Sequence, residues 1–160
     1  MTIKQGDRLP SGTFKQLTAA GIVDVSTDSL LKGKKVALFG LPGAYTPVCS
    51  ASHLPGYVEN AGKLRAAGFD TIACISVNDP FVMDAWGKAS GADGKVMMLA
   101  DAQGDFTTAI GLVVDLPAFG LVGRSERYSM VVEDGVVKKL EVEKSVLEHD
   151  GSSAVCMLKS

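Results

Sequence analysis

Short apolar segments alternate with helical ones through the middle of the chain, and this alternation constrains the fold more than any other feature. Residues 36–39, 71–77 and 96–100 are apolar runs of the length of a buried strand. Residues 80–88 and 104–110 between them are typical of short helices. Strands joined through helices predict parallel crossovers.

Antiparallel strands are expected at both ends of this core. Residues 128–132 and 136–142 flank Glu133-Asp134-Gly135, a hairpin signal. The segment up to about Gly33 predicts one or two edge strands with a turn at Ala20-Gly21, and the tail from Ser152 predicts a short helix. The order β-α-β-α-β-α-β-β predicts an α/β fold with a mixed central sheet flanked by helices and with extra N-terminal strands. A thioredoxin-like fold is one such arrangement.

Composition narrows the class of protein. The chain has 160 residues, 46% of them hydrophobic and 21% charged, so we expect residues 1–160 to form a single globular domain. A net charge of -2 gives no basic field for nucleic acid or an anionic membrane surface. The start lacks a signal-peptide core, and no run of about 18 apolar residues predicts a membrane span. We expect a cytoplasmic protein, or an organellar one whose transit peptide is absent here.

The three cysteines Cys49, Cys74 and Cys156 are a poor disulfide framework, because their number is odd and their spacing wide. With only two histidines and no CxxC motif, the sequence predicts no metal site. Each cysteine is therefore either a packed apolar residue or a reactive thiol.

The segment Thr46-Pro47-Val48-Cys49 carries most of the chemical information. Thr46 suits the N-cap of a helix and Pro47 its first position, which makes Cys49 the third helical residue. Free N–H groups and the helix dipole favour an anion there, so we expect a reactive thiolate. Taken alone, the pattern also fits a buried, unreactive cysteine. Pro55 should disturb the same helix, because it cannot donate to the Ala51 carbonyl.

Four blocks of sequence closely resemble the type II, peroxiredoxin-5-like peroxiredoxins. They are residues 39–56 (FGLPGAYTPVCSASHLPG), 75–82 (ISVNDPFV), 85–87 (AWG) and 124–132 (RSERYSMVV), and the similarity extends from Gly33 to Val142. The resemblance implies a thioredoxin fold and the thiol-dependent reduction of hydrogen peroxide and alkyl hydroperoxides. It implies no metal, haem or flavin cofactor.

The resemblance also assigns roles to residues. It makes Cys49 the peroxidatic cysteine, oxidised to a sulfenic acid, with Pro42 and Thr46 as the motif residues and Arg127 as the active-site arginine. Arg127 and Thr46 would orient the peroxide and stabilise the leaving oxygen. We expect Arg124 to lie elsewhere, as a surface or dimer-contact charge, because residues three apart in a strand point to opposite faces.

Recycling of the sulfenic acid is left open by the sequence. The resemblance offers Cys156 or Cys74 as a resolving cysteine. The strand position of Cys74 favours a buried residue, and the terminal position of Cys156 favours mobility, which modestly favours Cys156. A third route needs neither, because glutaredoxin with glutathione, or thioredoxin, reduces Cys49 directly.

Several other residues receive structural interpretations. His53 is expected to make a structural hydrogen bond. Trp86 and Phe81 are expected to be packing residues; the alternative is that their block, with the loop 117–122, lines a dimer contact or the apolar wall of the site. The family resemblance predicts a homodimer. The alternatives to a peroxidase are a redox-relay protein that passes oxidation from Cys49 to partners, and a thioredoxin-like binding module with an inert cysteine. Thr46 and Arg127 argue against the last.

Overall fold

The computed structural model describes residues 2–145 and 150–159. His149, to which the sequence assigned no role, lies outside this range. Within it, seven strands form one sheet in the order β2-β1-β5-β4-β3-β8-β9, and β6 pairs with β7 in a separate antiparallel arm. The strands are β1 Thr13–Thr18, β2 Gly21–Ser26, β3 Lys35–Gly40, β4 Thr71–Ser76, β5 Met97–Ala100, β6 Val113–Leu116, β7 Leu121–Ser125, β8 Tyr128–Glu133 and β9 Val136–Val142.

The sheet is mixed, as predicted. The central strands β3, β4 and β5 are parallel neighbours, while β8 runs antiparallel to β3 and β9 antiparallel to β8. The β8–β9 turn forms at Asp134 and Gly135, both with positive φ (50° and 80°), which is the conformation of a type I′ hairpin turn. The predicted N-terminal strands pair as a hairpin and extend the sheet beyond β5.

Helices cover both faces of this sheet, which confirms the thioredoxin-like α/β architecture. They are α1 Thr27–Leu31, α2 Leu54–Glu59, α3 Ala61–Ala66, α4 Pro80–Ala89, α5 Asp105–Ala109 and α6 Ala154–Leu158. Helices α2, α3, α4 and α6 contribute to the buried cluster on one face, and α1 and α5 to the cluster on the other. Within the described residues, no helix is both long and apolar enough to cross a membrane.

Alternation along the strands decides which residues face helices α2, α3, α4 and α6. Phe39 of β3 and Cys74 of β4 belong to the first cluster, whereas their neighbours Leu38 and Ile75 belong to the second. Successive side chains of a strand point to opposite faces of the sheet. The pairing register between neighbouring strands therefore decides which side chains from different strands lie together on one face.

Two sequence interpretations need correction here. The segment 117–122, described as a loop from its sequence, contains a 3₁₀ turn at Pro117–Phe119 and the start of β7, and the strands β6 and β7 were not predicted. These strands have four and five residues, and only Ser125 among them is buried, so they do not resemble the buried strands of the main sheet. Phe81 is 61% exposed on α4, so it does not pack in the interior and the surface alternative is left for it, whereas Trp86 on the same helix is buried as predicted.

Candidate active site

The helix that carries Cys49 begins where the sequence placed it. Pro47 and Val48 have helical backbone, and Ser50 N–H donates to the Thr46 carbonyl at 2.9 Å in the first helical hydrogen bond. Cys49 is thus the third helical residue, in the first turn, where backbone N–H groups lack helical partners and the dipole favours an anion.

A π-helical turn at Cys49–His53 interrupts this helix before α2 continues it. Leu54 N–H donates to the Cys49 carbonyl, five residues back, directly before Pro55. Pro55 has no N–H to restore the α-helical register. The irregularity expected at Pro55 therefore takes the form of a widened turn rather than a simple kink, and such turns are frequent at functional sites.

The Cys49 sulfur lies in the interior beside the Arg127 guanidinium. The residue has no exposed surface, Arg127 is 2% exposed, and Arg127 Nη2 donates to Cys49 Sγ at 3.1 Å. The buried guanidinium thus has a hydrogen-bond acceptor in the sulfur, as a buried charge requires.

His53 makes the hydrogen bond expected of it, and its partner is Arg127. The His53 Nδ1 atom lies 2.7 Å from Arg127 Nη1, and His53 is fully buried. Because a guanidinium can only donate, Nδ1 must accept, and the neutral ring carries its proton on Nε2. The ring also packs on Phe39 and Tyr57, with centroids 4.9 Å and 5.7 Å away. His53 thus fixes the guanidinium while the second nitrogen of that group faces the sulfur.

Arg124 and Arg127 both approach the site, because β7 ends at Ser125, between them. Arg127 precedes β8 and is not part of β7, so the argument that one strand carries Arg124 and Arg127 on opposite faces was wrong. Arg124 is not a remote surface charge. It is partly buried, and its Nη1 donates to the Pro42 carbonyl at 3.2 Å.

The Thr46 hydroxyl has a partner within its own loop. It donates to the Gly43 carbonyl at 2.7 Å. A hydroxyl has one proton and two lone pairs, so Thr46 can still accept a hydrogen bond from a substrate.

A cavity of about 300 Å³ opens beside these groups and reaches the surface. It is lined mainly by apolar side chains, with Arg127 and Thr46 among the polar ones. Phe119 and Leu121 come from the β6–β7 arm, and Tyr45 from the loop before the helix. The loop 117–122 thus contributes to the apolar wall, one of the two roles expected of it. On the interior side, Trp86 Nε1 donates to Ser50 Oγ at 3.1 Å.

The two remaining cysteines lie in contrasting environments. Cys74 is fully buried in β4, in the same cluster as Cys49. Burial raises its pKa well above the ordinary value, and the nearby charge of Cys49 raises it further, while Arg127 lowers it. Cys156 is half-buried in α6, where its N–H is capped by Ser153 Oγ at 3.2 Å and its carbonyl accepts from Lys139 Nζ at 3.2 Å. All three cysteines are free thiols.

Sequence reasoning did not single out Asn78, which the structure places against the loop of the motif. Asn78 Oδ1 accepts from Ala44 N–H at 3.0 Å. Its position was open to prediction, because β3 and β4 are parallel and the segments after them meet at one edge of the sheet.

A buried thiol at a helix start, beside an arginine on a thioredoxin-like sheet, has the features of a thiol peroxidase. Residues 4–158 match the family model Redoxin. The chain is 47% identical over 99% of its length to chloroplastic Peroxiredoxin-2E of Arabidopsis thaliana, covering 69% of that protein, and 44% identical to Peroxiredoxin-2B of the same plant, covering 98%. The chain belongs to the Redoxin family and, within it, to the type II, peroxiredoxin-5-like peroxiredoxins, which are thiol-dependent peroxidases.

Solved structures agree with this assignment. Reduced Prx3 of Vibrio vulnificus in complex with H₂O₂ superposes with a TM-score of 0.93 at 47% identity, covering 99% of this chain and 98% of the other. Peroxiredoxin 5 of Alvinella pompejana superposes with a TM-score of 0.85 at 33% identity, covering 98% and 96%.

Proposed function

We propose that Cys49 is the peroxidatic residue, oxidised by hydrogen peroxide and alkyl hydroperoxides to a sulfenic acid. The observation that carries this proposal is the 3.1 Å hydrogen bond from Arg127 to a sulfur with no exposed surface. The Cys49 thiolate attacks the terminal oxygen of the hydroperoxide, and the S–O bond forms as the O–O bond breaks. Sulfur is oxidised, and the leaving alkoxide or hydroxide takes up a proton to become an alcohol or water.

Arg127 and Thr46 have distinct parts in this step. The Arg127 guanidinium and the Cys49 N–H donate to the oxygen that gains negative charge in the transition state. Because the proton of the Thr46 hydroxyl is held by Gly43, Thr46 accepts from the peroxide O–H and turns the terminal oxygen toward the sulfur. Pro42 closes the buried side of the loop and limits the access of water.

Reduction of the sulfenic acid requires a second thiol. We propose that a thioredoxin-type reductant, either glutaredoxin with glutathione or thioredoxin, closes the cycle. Cys74 lies near Cys49 but is held in its neutral, less nucleophilic form by burial. Cys156 is more accessible, yet lies within a capped helix rather than in a frayed tail.

The exposed aromatic and aliphatic side chains near the site support the proposal of a homodimer. Tyr45, Phe81, Phe119 and Val122 are 57%, 61%, 61% and 65% exposed. Tyr45 and Phe119 line the same cavity, and exposed apolar side chains that lie together are typical of contact surfaces. We also propose that the chain forms a single domain, since both core clusters share one sheet, and that it works in the cytoplasm or in an organelle.

Peroxide consumption by the wild-type protein and by Cys49→Ser tests the proposal. We expect sustained turnover with a thiol reductant for the wild type and none for Cys49→Ser, with the same circular dichroism spectrum for both. Turnover by Cys49→Ser would contradict the assignment, and a single stoichiometric oxidation of the wild type would favour a redox relay.

Mass spectrometry of the peroxide-treated wild type, with Cys74→Ser and Cys156→Ser as matched variants, identifies the route of recycling. We expect a sulfenic acid on Cys49, with turnover retained in both variants. A Cys49–Cys74 or Cys49–Cys156 disulfide, with turnover lost only in the corresponding variant, would replace the external route by an internal one.

A further inference from the structure

Two side chains from different elements hold the backbone of the loop before the catalytic helix. Arg124 of β7 donates from Nη1 to the Pro42 carbonyl at 3.2 Å. Asn78, which follows β4, accepts the Ala44 N–H with its Oδ1 at 3.0 Å. The residue between these two bonded peptide groups is Gly43, so the loop is fixed immediately before and after it.

Gly43 is the point where these groups converge. A Cβ at this position would lie 2.9 Å from Arg124 Nη1, 3.4 Å from Thr46 Cγ2 and 3.8 Å from Asn78 Oδ1. Gly43 is not among the glycines with positive φ. Close approach of Arg124, rather than an unusual backbone conformation, therefore explains the glycine.

Asn78 is itself held in place from β4. The buried Ser76 hydroxyl donates to Asn78 Oδ1 at 2.6 Å and lies 3.3 Å from the Leu41 carbonyl. Because Ala44 N–H can only donate, the atom facing it must be the amide oxygen of Asn78, which settles the orientation of that amide. The loop is thereby connected to the central parallel strands.

We propose that Asn78 and Arg124 are positioning residues that hold Pro42 and Thr46 for the peroxide. The path is short, because the Gly43 carbonyl, which shares one peptide group with the Ala44 N–H held by Asn78, accepts the Thr46 hydroxyl at 2.7 Å. A shift of Gly43 moves that hydroxyl and the wall of the cavity at Pro42. We expect Cys49 and Arg127 to stay in place, because the hydrogen bonds that join Arg127 to Cys49 and to His53 do not involve Gly43. This inference rests on the proposed role of Cys49.

The test measures the rate constant for oxidation of Cys49 by hydrogen peroxide, its pH dependence, and the rate of alkylation of Cys49 by iodoacetamide, followed on the Cys49 peptide. Asn78→Leu and Arg124→Met should each lower the peroxide rate constant by about tenfold to a hundredfold, the effect of a misplaced reactant. Alkylation and the midpoint of the pH profile should stay unchanged, since the thiolate is intact. Asn78→Asp retains both acceptor contacts and should stay close to the wild type.

Arg65→Met is the matched control for Arg124→Met. Arg65 also donates to a single backbone carbonyl, that of Lys95 at 3.3 Å, and lies outside the site. We expect its peroxide rate constant to equal that of the wild type. Equal losses in both arginine variants would assign the effect to general destabilisation and overturn the proposal.

Gly43→Ala tests the same contact without removing a charge. Its methyl group displaces the flexible end of Arg124 from the Pro42 carbonyl, so Gly43→Ala should slow peroxide oxidation in the wild type and have no further effect in Arg124→Met. This variant decides the question even where Asn78→Leu does not fold. Additive losses, or wild-type peroxide rates in both Arg124→Met and Gly43→Ala, would overturn the positioning role. Absence of peroxide turnover in the wild type would instead overturn the proposed function.

Discussion

On one face of the sheet, Phe39 and Cys74 point toward the helix that carries Cys49, while on the opposite face Leu38 and Ile75 pack against α1 and α5. The first face buries a guanidinium, an imidazole, two thiols and a tyrosine hydroxyl, contributed by Arg127, His53, Cys49, Cys74 and Tyr57. The second buries mainly aliphatic and aromatic side chains, together with the Tyr128 hydroxyl and the Asp101 carboxylate, which accepts hydrogen bonds from Phe106 and Thr107 of α5.

This contrast separates the residues that stabilise the fold from those that perform the chemistry. Burying a leucine, isoleucine or phenylalanine side chain stabilises a protein by about 1.5–3 kcal/mol. Burying a charge costs free energy unless it is paired and hydrogen-bonded. On the first face, burial of the Arg127 guanidinium costs free energy. The hydrogen bonds of Arg127 to Cys49 and His53 offset this cost. We therefore expect substitutions of the groups around Arg127 to change reactivity, and substitutions of the aliphatic side chains on the other face to change stability.

The largest effect is expected for Arg127→Met, which removes the charged group of the first face. Loss of one preorganised donor to a developing anion lowers the rate by about 10²–10³-fold. Arg127→Lys retains the charge but cannot bond Cys49 and His53 with two fixed nitrogens, so its rate should be intermediate. Rapid-mixing measurement of peroxide oxidation checks this order. Wild-type rates in Arg127→Met would remove the difference between the two faces.

Alkaline pH should act on both faces through three buried acids. Burial raises the pKa of Cys74, Tyr57 and Tyr128, with the charge of Asp101 adding to the effect at Tyr128. Below pH 9.0, the ordinary value for cysteine here, these groups are protonated in both states and the stability they contribute is complete. Above it the unfolded chain loses protons first, so stability falls as pH rises, by up to about 1.4 kcal/mol per pH unit for each group.

Urea unfolding at pH values from neutral to above 10 measures this decline in stability. The variant Cys74→Ala shows which part of the decline comes from the Cys74 thiol. Without Cys74 the decline should begin later, near 10.0, the ordinary tyrosine value. An identical decline in the wild type and in Cys74→Ala would show that the Cys74 thiol ionises as readily in the fold as outside it.

The smallest effect is expected on the free energy of unfolding, when the hydroxyl is removed from either of two buried tyrosines, one on each face. The Tyr57 hydroxyl donates to the Ser152 carbonyl at 2.9 Å, whereas the Tyr128 hydroxyl has no hydrogen-bond partner in the described part of the chain. Tyr57→Phe should therefore lower the free energy of unfolding by about 1 kcal/mol. Tyr128→Phe should leave it unchanged or raise it slightly, because it removes an unsatisfied buried group. Equal losses in the two variants would indicate a partner for Tyr128.

Much of the fold could be predicted from local pattern. The parallel core and the β8–β9 hairpin follow from apolar runs and from the turn residues Asp134 and Gly135. The β6–β7 arm could not be read in this way, because its strands are short and largely exposed and are separated by Pro117 and Gly120. Exposed strands lack the burial that produces a pattern.

The site was only partly predictable for a related reason. The helix start at Pro47 and the position of Cys49 depend on neighbours in sequence. The contact of Arg124 with Pro42 depends on where β7 ends, at Ser125, two residues before Arg127. No local sequence pattern marks that strand end. Asn78 meets Ala44 because two parallel strands end side by side. Such contacts depend on topology and become visible only when the sheet order is known.

The central claim is that the hydrogen bond from Arg127 makes the buried Cys49 sulfur a reactive nucleophile. The rate of Cys49 alkylation by iodoacetamide at neutral pH, followed by mass spectrometry of the Cys49 peptide, measures this directly. We predict rapid alkylation of Cys49 in the wild type and clearly slower alkylation in Arg127→Met. No alkylation of Cys49 in the wild type, or equal rates with and without Arg127, would contradict the account.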